Sequence, residues 1–409
     1  MPRFETRTWL PDPDAYGPRS ARRGFRYRAL VPDPVGSLDP VVPGTLAGLL
    51  AEAEQQTAAL NLNPPTIANL EALARRLLRA ESVASSWIEG VRISQRRLAR
   101  AEAEGGETRD ATARAVLGNV AAMERVTTLA DQRKPMELED LLALHRALME
   151  HTPDSRGAGA LRERQNWIGG NPYSPLDASF IPPPPEYVPG LVDDLFRFLA
   201  REDLPASIQA GVAHAQFEAI HPFADGNGRV GRTLIHFVLR RRGLAPRFVP
   251  PVSLVLAASS NTYIRGLNAF AQGQHREWLE VFGHALRSAV ERSASLAQGI
   301  AALQKAWRER AGRPRKDSSA EALIGALPAW PVLTADSAAK LLGRSIQAAN
   351  EALAALERAG VVKVAGAVRR NRTFESPELL ELVAAFEKEL ALAELEPGRQ
   401  RARQRGPER

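Results

Sequence analysis

The chain has 409 residues, 44% of them hydrophobic, no cysteine and a formal net charge of +7. That length admits two or three domains with real cores, and the lack of thiols excludes disulfides and thiolate metal sites, so nothing demands an oxidising compartment. No stretch approaches the roughly 18 apolar residues of a membrane span, and residues 1–16 are polar and proline-punctuated rather than signal-like. The expectation is a soluble, cytoplasmic protein without a membrane partner. The excess charge sits largely in residues 308–316 and 399–409, the pattern of solvated basic segments.

In chain order, residues 1–40 are rich in Pro, Arg and Gly and predict an extended arm. Residues 45–60 have helical spacing through Leu46, Leu49, Leu50, Ala53 and Leu60. Residues 66–84 repeat it through Ile67, Leu70, Leu73, Leu77 and Leu78, and run into Ser85-Ser86-Trp87-Ile88-Glu89-Gly90. Read plainly, that end is a solvated Glu and a glycine cap. Helices are expected over 95–104, 108–130 and 137–150, the second with Val116, Val120, Met123 and Val126 inward. Residues 156–189 lack helical period, as functional loops do; Asn166-Trp167-Ile168-Gly169-Gly170 and Ser179-Phe180-Ile181 fit a short hairpin. Further helices follow over 188–199, 206–220, 233–242, 252–270 and 278–300, then an Arg-rich linker. Beyond it, helices over 320–327, 334–342 (Thr334 as N-cap) and 345–358 (Ser345 as N-cap) precede two short strands over 361–374, a winged helix-turn-helix pattern. A last helix covers 379–395.

Chemistry concentrates between the helices 206–220 and 233–242, in His221-Pro222-Phe223-Ala224-Asp225-Gly226-Asn227-Gly228-Arg229-Val230-Gly231-Arg232. Glycines at the start of a helix expose backbone N–H groups to an anion, with the helix dipole behind them. Glycine also lets backbone approach phosphate closely. Asp225 is a hard oxygen ligand suited to magnesium. Arg229 and Arg232, three apart, share a face if the helix has begun, and guanidinium groups fork onto phosphate oxygens. Asn227 can donate to a phosphate oxygen, and His221 can accept a proton near neutral pH. Singly, each residue reads as loop or turn. Gly226-x-Gly228-x-x-Gly231 also fits a dinucleotide fingerprint, but a helix precedes it and no acid lies between Asp225 and Glu277, which excludes that reading.

The twelve-residue stretch resembles the Fic-domain signature His-Pro-Phe-x-Asp/Glu-Gly-Asn-Gly-Arg-x-x-Arg at every specified position. The resemblance implies an all-helical enzyme that transfers AMP from ATP to a hydroxyl of a target protein. It implies His221 as general base and Asp225 as Mg²⁺ ligand. Gly226, Asn227 and Gly228 would form the anion hole, Arg229 would hold the β-phosphate and Arg232 the γ-phosphate. Ser85, Glu89 and Gly90 resemble the inhibitory motif of class II Fic proteins, Ser/Thr-x-x-x-Glu-Gly/Asn. A carboxylate set against Arg232 would take the γ-phosphate's place, and misplaced phosphates forfeit in-line attack. Residues 164–186 resemble the flap that holds a target by strand addition, with Ser174, Phe180 and Ile181 as target contacts. Tyr263 stands where such proteins place a residue near adenine; a core aromatic is the equal reading.

The fold class expected is therefore all-α: a Fic helical core with a short β-hairpin flap, plus a C-terminal winged helix-turn-helix domain. The divisions are 1–105 (arm and inhibitory helices), 106–304 (catalytic core), 305–318 (basic linker), 319–390 (winged domain) and 391–409 (disordered basic tail). The partners implied are ATP, a target with an acceptor hydroxyl, the chain itself as a target, and a second copy. Residues 319–375 leave DNA binding and a packing role both open, since Arg344 is the only basic residue between Lys340 and Arg358. Three alternatives stand beside AMP transfer: AMP removal at the same site, another nucleotide donor, and a DNA-binding regulator that senses nucleotide.

Overall fold

The computed structural model describes residues 2–10, 23–64, 69–103, 108–150, 152, 155–365 and 372–391. It is mostly helical. Two strands, β1 (Arg3–Trp9) and β2 (Phe25–Val31), open the chain as an antiparallel pair. Ten helices follow before the first long one: α1 (Gly44–Leu62), α2 (Leu70–Ile88), α3 (Gln95–Ala103), α4 (Ala111–Asp131), α5 (Leu138–Met149), α6 (Val188–Ala200), α7 (Ala206–Ile220), α8 (Asn227–Arg241), α9 (Val252–Ala258) and α10 (Ser260–Ala271). The 36-residue α11 (His275–Arg310) leads to α12 (Ser319–Ala326), β3 (Val332–Thr334), α13 (Ala335–Leu342), α14 (Ile346–Arg358), β4 (Lys363–Ala365), β5 (Thr373–Glu375) and α15 (Pro377–Ala391).

At the centre lie α7 and α8. Every residue of α7 is buried, polar ones included. Alpha-helices α1, α6, α8, α10 and α11 surround it. Small residues allow this closeness: the Gly211 carbonyl accepts the Trp278 indole N–H at 2.7 Å. Some buried polar groups on α7 are tied to backbone, as where Gln209 donates to the carbonyls of Phe198 and Arg201. Helix α8 packs on α4, α7, α2 and α5.

Several expectations need correction. Residues 3–9 and 25–31 form an antiparallel strand pair, not an extended arm; residues 11–22 between them lie outside the described residues. The alternation in Phe25, Tyr27 and Ala29 is the signal that arginine and proline content masked. The second helix starts at Leu70, with Asn69 Oδ1 accepting from the Ala72 N–H, and continues to Ile88. Residues 252–270 are two helices broken at Ser259, not one. Helix α8 begins at Asn227, not 233, so the whole Gly228–Arg232 run is helical. Helix α11 runs on through Arg310, into the expected linker.

The C-terminal segments form a three-stranded antiparallel sheet, order β3-β5-β4, whose β3 meets α13 and α3, while α12, α13 and α14 pack on one another. Thr334 caps α13 in a capping box and Ser345 caps α14. Of the segment 361–374 expected as two strands, residues 366–371 lie outside the described residues, as does the tail beyond 391. This unit is not detached. Arg76 of α2 donates to Gln95 Oε1 at 2.6 Å, and Gln95 donates on to Glu387 of α15. Burial pushes the Glu387 carboxyl up to about 7 despite Gln95 and Arg76. Arg75 lies 3.9 Å over the Trp330 ring, and Arg100 reaches Glu375 of β5 at 3.2 Å. One apolar core runs from Leu46 through Trp307 to Phe386.

Candidate functional site

Residues 221–226 join the C-terminus of α7 to the N-terminus of α8. His221 ends α7 with φ +51°, left-handed backbone that a non-glycine residue adopts at a cost of about 1–3 kcal/mol. That geometry turns the chain sharply and aims the ring away from the helix axis. What holds it is Arg162: its Nε donates to the His221 carbonyl at 2.8 Å and its Nη2 to the Pro183 carbonyl at 2.6 Å. The Arg162 N–H also reaches the Pro222 carbonyl. Burial lowers the Arg162 pKa to about 10, against the pull of Glu186. His145 of α5 completes the frame. Gly159 N–H donates to its Nδ1, so its Nε2 carries the hydrogen and donates to the Asp225 carbonyl at 3.0 Å. Its ring stacks on Phe223 at 3.8 Å. Neither Arg162 nor His145 was singled out from sequence; both act through backbone, which leaves no motif.

Gly226 has φ +77° and begins α8 without a side-chain cap. The first turn of α8 therefore keeps its N–H groups for an anion. Asn227 does not face outward as expected. Its Oδ1 accepts the Phe223 N–H and its Nδ2 donates to the Phe223 carbonyl, both at 2.8 Å, so its side chain closes the loop instead. Only its backbone N–H remains for an anion.

Glu89 occupies that helix terminus. A Cβ on Gly228 would collide with Glu89 Oε1 and come within 2.9 Å of Arg232 Nη1. Arg232 is fully buried and donates from Nη2 to Glu89 Oε1 at 2.7 Å and to the Ser85 carbonyl at 2.8 Å, and from Nε to Ser85 Oγ at 2.9 Å. Burial opposes both charges. Even so, Arg232, then Arg229 and His221, hold the Glu89 carboxyl below its usual value, and Glu89 leads the groups that hold Arg232 above its own. Gly90 follows with φ +79°. Arg229 shares the face with Arg232 and has weaker partners, Asp225 Oδ2 at 3.4 Å and Met149 Sδ at 3.7 Å. Asp225 stands at the rim with 53% of its side chain exposed.

Burial, then the nearby Arg162 cation, lowers the His221 pKa to about 4, so the ring is neutral near pH 7. A buried carboxyl group one turn earlier, Glu218, brings Oε2 to 3.8 Å from His221 Nδ1. Sequence reading passed it over as one more helical residue.

Two expectations fail on position. Tyr263 is buried: its hydroxyl meets His214 Nε2 at 2.9 Å and Arg232 Nη1 at 3.4 Å, and its ring stacks with His214. It supports Arg232 from behind and is no adenine face. Ser174 is also fully buried, its N–H on Asn171 Oδ1, so it presents nothing to a target. The expected flap hairpin is reduced to single bridges, Ile168 with Phe180 and Asn171 with Ser174. Ile181 gives its carbonyl to the Leu30 N–H of β2 at 2.9 Å, and Phe180 packs on Leu30. Thus the N-terminal hairpin braces the flap, with Trp9 edge-on to Trp167 and Arg7 paired to Glu186.

Residues 135–239 match the family model described as Fic/DOC family, and residues 47–128 match Fic/DOC family N-terminal. The chain thus carries a Fic/DOC domain preceded by a Fic/DOC N-terminal region. It is 33% identical over 139 residues to protein adenylyltransferase Fic of Drosophila erecta, covering 33% of this chain and 26% of that relative. The Drosophila melanogaster protein of the same name is 33% identical over 138 residues with the same coverage. The chain thus spans about a quarter of the length of these relatives. A Fic family protein from Desulfovibrio desulfuricans shares the fold at TM-score 0.51 and 22% identity, over 82% of this chain and 97% of that one. Fic-1 from C. elegans does so at TM-score 0.50 and 21% identity, over 62% and 73%. Among the described residues, no helix of this chain is long and apolar enough to cross a membrane.

Proposed function

We propose that this protein transfers AMP from ATP to a Ser, Thr or Tyr hydroxyl of a target protein, releasing pyrophosphate, and that Glu89 restrains it. The observation that carries this reading is the Glu89 carboxylate over Gly228 and on Arg232: an internal anion sits where a helix terminus and a buried cation favour one. The N–H groups of residues 226–228 cradle the phosphates, Arg229 takes the β-phosphate and Arg232 the γ-phosphate. His221 removes the hydroxyl proton, the hydroxyl oxygen bonds to the α-phosphorus, and the bond from that phosphorus to the β-phosphate oxygen breaks.

Magnesium fits the residues present. Asp225 offers one exposed carboxylate at the mouth of the loop, and magnesium takes one or two carboxylates with phosphate and water. Bound there, it would neutralise charge on the phosphates. Asp225 would hold it; Arg229 and Arg232 would still set the phosphate chain.

Phe180 and Ile181 remain the flap residues proposed to meet a target. The winged unit is proposed as a docking module rather than a DNA reader. The exposed start of α14 carries Ile346, 53% exposed, beside Gln347 and Asn350, and its neighbour Arg344 is already committed to the Asp317 carbonyl. ATP labelled at the α-phosphate tests the whole reading. Label should appear on protein strongly with Glu89→Gly, weakly with wild type and not with Glu89→Gly/His221→Ala. No label in any of the three, with magnesium or manganese, sinks AMP transfer and moves attention to AMP removal.

A further inference from the structure

The base His221 has a neighbour for which the transfer scheme has no task. Glu218 lies three residues earlier on α7, so its side chain rises along the same face. It is 9% exposed, and its Oε2 stands 3.8 Å from His221 Nδ1. Among the described residues, neither His221 Nδ1 nor Glu218 Oε1 has a hydrogen-bond partner, although both atoms are buried. The orphaned nitrogen thus has the other oxygen of that carboxyl group, Oε2, at 3.8 Å, and a buried polar atom left without a partner is costly.

We propose that Glu218 is a positioning residue for His221, holding the ring through Nδ1 so that Nε2 is the atom offered to the acceptor hydroxyl. This deepens the adenylyl-transfer reading and rests on it. As His221 Nε2 takes the hydroxyl proton, the ring becomes an imidazolium. Its Nδ1–H then donates to the Glu218 carboxylate, which moves from 3.8 Å into hydrogen-bond range. The proton stays on the imidazole; Glu218 gains no bond to substrate.

The surroundings suit that task. From α8, Gly231 leaves room beside Glu218: a Cβ there would lie 3.2 Å from Oε1. Arg232 of α8 and Glu89 of α2 act on the Glu218 carboxyl with opposite signs; burial outweighs Arg232 and pushes it up to about 7. Facing His221 are Arg162 from the loop before the flap, Glu89 from α2 and Asp225 from its own loop. When ATP displaces Glu89, Glu218 is the buried carboxyl that stays beside the ring, with Asp225 at the rim. The Glu218 backbone carbonyl also faces the imidazole and is the rival holder.

The experiment puts Glu218→Gln, Glu218→Ala and Glu218→Asp into the Glu89→Gly protein. Two quantities are read: AMP transfer with kcat separated from KM for ATP, and the tautomer of the neutral His221 ring near pH 7 by ¹⁵N NMR, assigned by loss of the signal in His221→Ala. In Glu218→Ala, kcat should fall about 10- to 100-fold with KM for ATP within about twofold, and the share of the Nδ1–H tautomer should fall. Glu218→Gln and Glu218→Asp, which keep an oxygen acceptor on the side chain, should recover part of both. An unchanged tautomer share, or an unchanged kcat, overturns the proposal and assigns the ring's orientation to the backbone carbonyl. If Glu89→Gly transfers no label at all, the transfer reading has failed, and the tautomer still decides whether Glu218 holds the ring.

Discussion

Arg229 and Arg232 begin the same helix on the same face, yet their surroundings differ. Arg232 is fully buried with partners at 2.7–2.9 Å: Glu89, the Ser85 hydroxyl and the Ser85 carbonyl. Arg229 has one carboxylate oxygen at 3.4 Å and a thioether, both soft claims on a guanidinium. The difference teaches that the restraint is local. Helix α2 satisfies the inner cation and leaves Arg229, itself buried, with weak partners and the Asp225 carboxylate exposed, so on the proposed reading ATP would meet Asp225 before Glu89 moves.

Removing the base should have the largest effect on that arrangement. His221→Ala in the Glu89→Gly protein should lower transfer about 10²- to 10⁴-fold, read with α-labelled ATP, while ATP affinity by calorimetry holds. Next, Gly228→Ala in the same background should cut transfer about 100-fold, since the methyl group stands where the anion lies; an unchanged rate would place the phosphates elsewhere. Glu89→Gly alone should raise transfer about 10- to 100-fold, the worth of one charge-assisted hydrogen bond; a lower rate would mean that Glu89 aids the reaction. Tyr263→Phe should cost about 1 kcal/mol in urea unfolding and change KM for ATP little. A large rise in KM would return the phenol to the nucleotide site.

The smallest effect is a pH dependence. Glu89 has its carboxyl held below the unfolded value of 4.5. Its contribution is therefore complete above pH 4.5 and is lost as pH falls through the lower folded value. Wild type should lose stability over that acid range more steeply than Glu89→Gln, as unfolding at each pH would show. Parallel curves would mean that the ion pair adds nothing net.

Much of the site was legible because its residues are contiguous. Twelve residues carry the base, the acid, the glycines and both arginines, and the helices either side have clear period. Glu89 was legible only with the motif beside it. What sequence could not show are groups whose effect passes through backbone carbonyls, as with Arg162 and His145, because a side chain bonded to a peptide leaves no pattern of residue types. Asn227 was misassigned for a related reason: an amide that can donate to phosphate can equally close its own loop, and only geometry separates the two. Tyr263 and Ser174 failed on burial, which one aromatic or one serine does not encode. The β1–β2 pair was hidden by its arginines and by the long separation of its strands, whereas α7, with Ile208, Val212, Ala215, Phe217 and Ile220 at helical spacing, was found to the residue.

Helix α2 takes part in two seams. Its N-terminal half gives Arg75 and Arg76 to the C-terminal unit, and its last turn gives Ser85 and Glu89 to the site. From Arg76 to Glu89 is about 20 Å of helix at 1.5 Å per residue. Such a helix is a lever with its load at one end and its handle at the other. A tilt of about 5° at the handle displaces the far end by roughly 1.7 Å over that length, more than the 2.7 Å contact between Glu89 and Arg232 can absorb. A shift of the C-terminal unit is thereby tied, through one rigid helix, to the contact between Glu89 and Arg232.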